Sequence, residues 1–115
     1  MALPALDAGL DDSAMDEMVG NARRATEFLK ALAHEGRLMI LCHLATGEKS
    51  VTELEELLSA RQAAVSQQLA RLRLEGLVRY RRDGKAIYYS LDDDRARQMI
   101  EIVYEMFCQT EQADA

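Results

Sequence analysis

The chain contains no run of eighteen apolar residues, so no segment is long enough to span a membrane as a helix. Bases are absent from the first twenty residues, where Asp7, Asp11, Asp12, Asp16 and Glu17 supply five acids. That removes the positively charged start of a secretory signal peptide and leads to the expectation of a cytoplasmic protein. Cysteine is scarce: Cys42 and Cys108 could form one intrachain bridge at most, and in a reducing compartment such a bridge is a switch rather than a staple. Histidine is limited to His34 and His43. There is no internal repeat and no low-complexity tract. Nothing resembles a nucleophile–base pair, a phosphate loop or a metal–water site, so an enzyme is not expected. At 115 residues the chain suits one domain with a modest core, which helices shared in a dimer would supplement.

Charge is present but unevenly spread. The whole chain carries 20 acids against 14 bases, which alone argues against a nucleic-acid partner. Between Arg61 and Lys85 the balance reverses, with seven bases (Arg61, Arg71, Arg73, Arg79, Arg81, Arg82, Lys85) against Glu75 and Asp83. A compact basic segment is either a solvated face or the electrostatic footprint of phosphate binding.

Periodicity organises the rest. Residues 1–14 form an acidic N-terminus without a sustained apolar period and are expected to be flexible, as are residues 111–115. Met18, Ala22, Ala25, Leu29 and Leu32 predict a first helix from about Met15 to Leu32, and Leu38, Leu41 and Cys42 a second from Glu35 to Leu44. Ser50-Val51-Thr52-Glu53 has the form of a capping box opening a third helix that ends near Ser59. A fourth spans Gln62 to Glu75, with Val65, Leu69 and Leu72 inward and Gly76 as its left-handed stop. Val78–Arg82 and Lys85–Leu91 then alternate around Asp83-Gly84, predicting a hairpin with a type I′ turn and with Ile87, Tyr89 and Leu91 toward the core. Met99, Ile100, Val103, Met106 and Phe107 give a last helix, Asp93 to Gln109, an apolar stripe that calls for a partner surface.

Helix, tight turn, helix and basic hairpin make a winged helix-turn-helix, a mainly α fold of about five helices over residues 15–110. The fourth helix would enter the major groove with Gln62, Ala63, Ser66 and Gln67 outward, Gln being able to pair bidentately with adenine. Arg71 and Arg73 further along, and Arg79, Arg81, Arg82 and Lys85 on the hairpin, suit phosphates or the minor groove.

Three ordered blocks carry a family resemblance: Leu29 to Leu41 (LKALAHEGRLMIL), Ala64 to Val78 (AVSQQLARLRLEGLV) and Arg82 to Leu91 (RDGKAIYYSL). They resemble the ArsR repressor family over about residues 20–108. The resemblance implies a homodimer built on the first and last helices, bound to an inverted-repeat operator in double-stranded DNA and released by an inducer. Arg61 departs from the Ser or Thr that usually opens the recognition helix, a weaker N-cap by about 0.5–2 kcal/mol. The family's thiolate metal site falls on Ser50 and Thr52, and the last helix contains no histidine, so neither family metal site is expected and no cofactor is implied. Ile40-Leu41-Cys42-His43-Leu44, with Cys108 after Phe107, is similar to the sulfide-responsive (SqrR and BigR type) subgroup. By that resemblance Cys42 and Cys108 react with persulfides or polysulfides, become bridged within one subunit by a di- or polysulfide, and let go of DNA that controls sulfide-detoxification genes. Local sequence offers no cation to activate either thiol; Glu105 and Glu111 lie one turn from Cys108. The alternatives are two buried apolar cysteines, a metal-responsive repressor with ligands foreign to the family, and a winged-helix module that binds protein.

Overall fold

The computed structural model describes residues 11–59 and 62–109. The expectations for residues 1–10 and 111–115, and for Arg61 as a weak cap, lie outside them. The chain divides into two compact units, one ending at Lys30 and one beginning at Ala31.

The first unit consists of most of helix α1 (Asp12–Leu32). It starts three residues before the expected Met15. Asp11 supplies the reason: its carboxylate accepts from the Ala14 amide at 2.7 Å and its carbonyl from the Met15 amide at 2.9 Å, satisfying donors that a helix start leaves open. Met15, Met18, Val19 and Leu29 stay exposed along it.

The second unit holds α2 (Glu35–Ala45), β1 (Lys49–Ser50), α3 (Val51–Leu58), α4 (Gln62–Leu74), β2 (Val78–Asp83), β3 (Ala86–Leu91) and α5 (Asp94–Tyr104), followed by a π-helical turn, Glu105–Gln109. His34 caps α2, its Nδ1 accepting from the Gly36 amide at 3.1 Å. Ser50 and Glu53 close the expected capping box on α3: the Glu53 amide donates to Ser50 Oγ at 3.0 Å and the Ser50 amide to Glu53 Oε1 at 2.9 Å. Helix α4 ends in a Schellman turn, with the Leu77 amide on the Leu72 carbonyl, the Gly76 amide on the Arg73 carbonyl, and Gly76 at φ +77°. Ile40, Leu41, Leu44, Leu54, Val65, Leu69, Leu72, Leu77 and Ile100 are buried almost completely and form one core.

The sheet has three antiparallel strands in the order β1-β3-β2, one more than expected. Strand β1 is two residues long, too short to show a period, and pairs Lys49 with Tyr89 and Ser50 with Tyr88. The hairpin turn also differs from the expected type I′ over Asp83-Gly84. Asp83 pairs with Ala86, leaving Gly84 and Lys85 as the loop, and only Gly84 has positive φ, +64°. Positive φ at the first central residue alone is the type II′ pattern, which takes Gly there. Of the residues expected to face the core from β3, Leu91 is buried while Ile87 and Tyr89 are half-buried. The last helix stops at Tyr104 and continues as the π turn, where a single helix to Gln109 was expected; Asp93 caps its start. Among the described residues no helix is long and apolar enough to cross a membrane.

Candidate nucleic-acid interface and thiol pair

The capping box fixes where α3 begins, and Ser59, at φ 51° in the left-handed region, fixes where it stops. Helix α4 follows and packs on α2 and α3. With Val65, Leu69 and Leu72 inward, Ala64, Ser66, Gln67, Ala70 and Arg71 point outward on one helix face. That is the geometry in which short polar side chains reach base edges in a major groove. Gln62 and Ala63 open the helix, and their side chains lie outside the described residues.

The basic residues divide into groups that their sequence does not distinguish. Arg71 donates to Glu75 one turn on, at 3.2 Å. Arg73 lies 4.8 Å above the ring of Tyr80, linking α4 to the hairpin, and Tyr80 in turn meets Tyr89 with ring centres 5.8 Å apart. Arg79 reaches Asp92 at 3.6 Å and donates to Ser90. Arg81 donates from Nε and Nη2 to both oxygens of Glu48, at 2.8 and 2.7 Å. That bond holds the Glu48 carboxyl below the usual carboxylate range and raises Arg81. Among the described residues Arg82 and Lys85, near and within the turn, have no carboxylate partner. Sequence reasoning missed Glu48, Tyr80 and Tyr88 as partners of the bases; Glu48 and Arg81 are 33 residues apart and only the sheet brings them together.

Cys42 lies on α2, and Cys108 on the turn that follows α5. Cys42 is half-buried on α2, which packs against α5, and Arg97 of α5 donates to the carbonyl of Ala45 at 3.3 Å. Cys42 lines a cleft of about 390 Å³ with Ala45, Thr46, Ile100, Tyr104 and the acids Glu101 and Glu105. Cys108 is exposed on the π turn. Burial pushes the Cys42 thiol up, and the charge of a Cys108 thiolate pushes it further. Among the described residues no cation counters either effect at Cys42. Among the described residues no group of three His, Cys, Asp or Glu side chains is placed to hold a metal ion. His34 is used as a cap, and His43 sits half-buried in the last turn of α2.

Comparison with known proteins agrees with this architecture. Residues 34–80 match the family described as bacterial regulatory protein, arsR family. A biofilm growth-associated repressor of Agrobacterium fabrum is 50% identical over 93 residues, covering 78% of this chain and 80% of that one. The transcriptional activator HlyU of Vibrio cholerae is 42% identical over 98 residues, covering 85% and 91%. Its reduced form superposes with a TM-score of 0.78 over 80% of this chain and 97% of that one. The repressor BigR of Xylella fastidiosa superposes with a TM-score of 0.76 at 40% identity, covering 82% and 96%.

Proposed function

Because the chain belongs to the ArsR family of bacterial DNA-binding transcriptional regulators, we propose that it is a homodimeric repressor whose hold on an inverted-repeat operator is broken by sulfur chemistry at Cys42 and Cys108. Gln62, Ala63, Ser66 and Gln67 read bases from the first turns of α4. Arg71 and Arg73, with Arg82 and Lys85 from the wing, hold phosphates. The exposed apolar residues Met15, Met18, Val19 and Leu29 on α1, and Ile102, Tyr104, Met106 and Phe107 at the other end of the chain, are what a second subunit covers.

The observation that carries the sensing half is the placement of the two thiols, Cys42 half-buried in a cleft lined by α2 and α5 and Cys108 exposed on the turn that follows α5. A thiolate attacks the outer sulfur of a persulfide, R–S–SH, gaining that sulfur as protein S–SH and releasing RSH. The second thiolate attacks the inner sulfur of the new persulfide, closes a disulfide and releases hydrogen sulfide. Two protein thiols and one persulfide thus give one disulfide, one small thiol and one molecule of hydrogen sulfide. A second persulfide consumed in the same way leaves one more sulfur in the bridge and releases one more thiol. A bridge from α2 to the segment after α5 changes how that segment meets a partner subunit, and with it the spacing of two reading heads that must match successive half-sites.

Two measurements test the two halves. Affinity for an inverted-repeat duplex should fall with a log–log salt slope of about −0.9 per phosphate held; affinity indifferent to salt would point to a protein-binding module instead. Intact-mass spectrometry after persulfide treatment should show Cys42 and Cys108 linked by two or more sulfurs. Separate sulfenic or sulfinic products would mark a general oxidant target.

A further inference from the structure

Alternation along β2 puts Arg79 and Arg81 on the face of the wing opposite Val78 and Tyr80, and it is Tyr80 that meets Arg73 of α4. Arg73 of α4 thus meets the wing on its Tyr80 face, whereas Arg79 and Arg81 belong to the other face. Its charges are matched at home: Glu48, Asp83 and Asp92 stand against Arg79 and Arg81. The Nε and Nη2 of Arg81 both donate to Glu48, at 2.8 and 2.7 Å, Nη1 lies 3.9 Å from the Asp83 carboxylate in a longer ion pair, and the group lies 4.6 Å over the ring of Tyr88. A two-pronged contact to a carboxylate is the same fork that a backbone phosphate would take.

We propose that Glu48 is a negative determinant of DNA binding. It occupies the Arg81 fork in place of a phosphate, so that Arg81 holds the hairpin to the residues beside β1 and the wing grips DNA through Arg82 and Lys85. This rests on the DNA-binding reading above. The consequence is a wing whose charge is concentrated at its tip and whose pull on duplexes of any sequence is limited, leaving a larger share of affinity to the base contacts of α4.

The test is the salt dependence of binding to a fluorescein-labelled duplex of mixed sequence, measured by anisotropy for the full chain and its variants, with thermal unfolding followed in parallel. Glu48→Gln frees the fork, so it tightens binding at low salt and steepens the log–log slope by about 0.9 per subunit, the share of one phosphate. Arg81→Gln leaves the slope of the wild-type protein as it was. Glu48→Gln combined with Arg81→Gln returns to that slope. A shallower slope in Arg81→Gln alone, or an unchanged slope in Glu48→Gln, overturns the proposal. Should Glu48→Gln fail to fold, the exchange Glu48→Arg with Arg81→Glu preserves the pair and must preserve the slope; a changed slope there also overturns it. Absence of salt-dependent binding by the wild-type protein defeats the DNA reading itself, whereas normal binding with an insensitive Glu48→Gln defeats only the role of Glu48.

Discussion

A thiol reacts as its thiolate, so the surroundings of Cys42 set how readily it joins any sulfur exchange. Those surroundings oppose ionisation: burial is the larger cause, the charge of Cys108 the smaller, and the cleft is rimmed by Glu101 and Glu105. Under the proposed mechanism, the exposed Cys108 would be the sulfur that meets an incoming persulfide and Cys42 the one that resolves it. In Cys108→Ser the smaller cause disappears and the larger remains, so Cys42 should stay a reluctant thiol. Its alkylation by iodoacetamide should climb about tenfold per pH unit through neutrality and level off only above the ordinary thiol value of about 8.5. A plateau near neutral pH would mean that a cation activates it. That local sequence supplies no activating cation was legible, Glu105 and Glu111 lying one turn from Cys108. The effect of Cys108 on Cys42 was not, because it depends on how residues 66 positions apart are brought together by the packing of α5 on α2.

At the scale of elements, what could be read in advance was what is decided locally. Ser50 and Glu53 are three residues apart and make their cap with no help from the rest of the chain; Gly76 ends α4 through bonds confined to the preceding turn. The hairpin was legible as a hairpin but not in its register. Asp83-Gly84 and Gly84-Lys85 are both acceptable loops, and cross-strand pairing of Asp83 with Ala86 chooses between them. Strand β1 and the Glu48–Arg81 fork depend on contacts across 33 or more residues and leave no mark on local pattern. Two substitutions probe the local devices. Ser50→Ala should cost about 1 kcal/mol through loss of the α3 cap. Gly84→Ala should cost about 1–2 kcal/mol. A Cβ there would meet nothing within 4 Å, so the whole effect comes from the positive φ. Urea unfolding measures both, and a neutral Gly84→Ala would show that the turn relaxes to another type.

At the scale of the whole molecule, an acidic protein with a net charge of −6 concentrates half of its 14 bases between Arg61 and Lys85. Such a distribution draws the reading head to DNA while the remainder of the surface is repelled, which favours a single orientation of approach. Apolar residues are left exposed on α1 and on the turn after α5, Phe107 at 64% and Met106 at 62% among them, and the proposed dimer would cover them. Sedimentation equilibrium should find a dimer at micromolar concentration. Phe107→Asp should shift it toward monomer and weaken binding to an inverted repeat far more than to a single half-site. An unaltered dimer would place the interface elsewhere.

The most direct measurement compares the wild-type protein with the Cys42→Ser/Cys108→Ser variant on one inverted-repeat duplex that the protein itself has selected from a random pool. Both should bind equally before treatment; after persulfide, the wild-type protein should release the duplex while the variant keeps it. Equal release from both, or a wild-type protein that stays bound with its two cysteines bridged, would contradict a thiol-gated repressor.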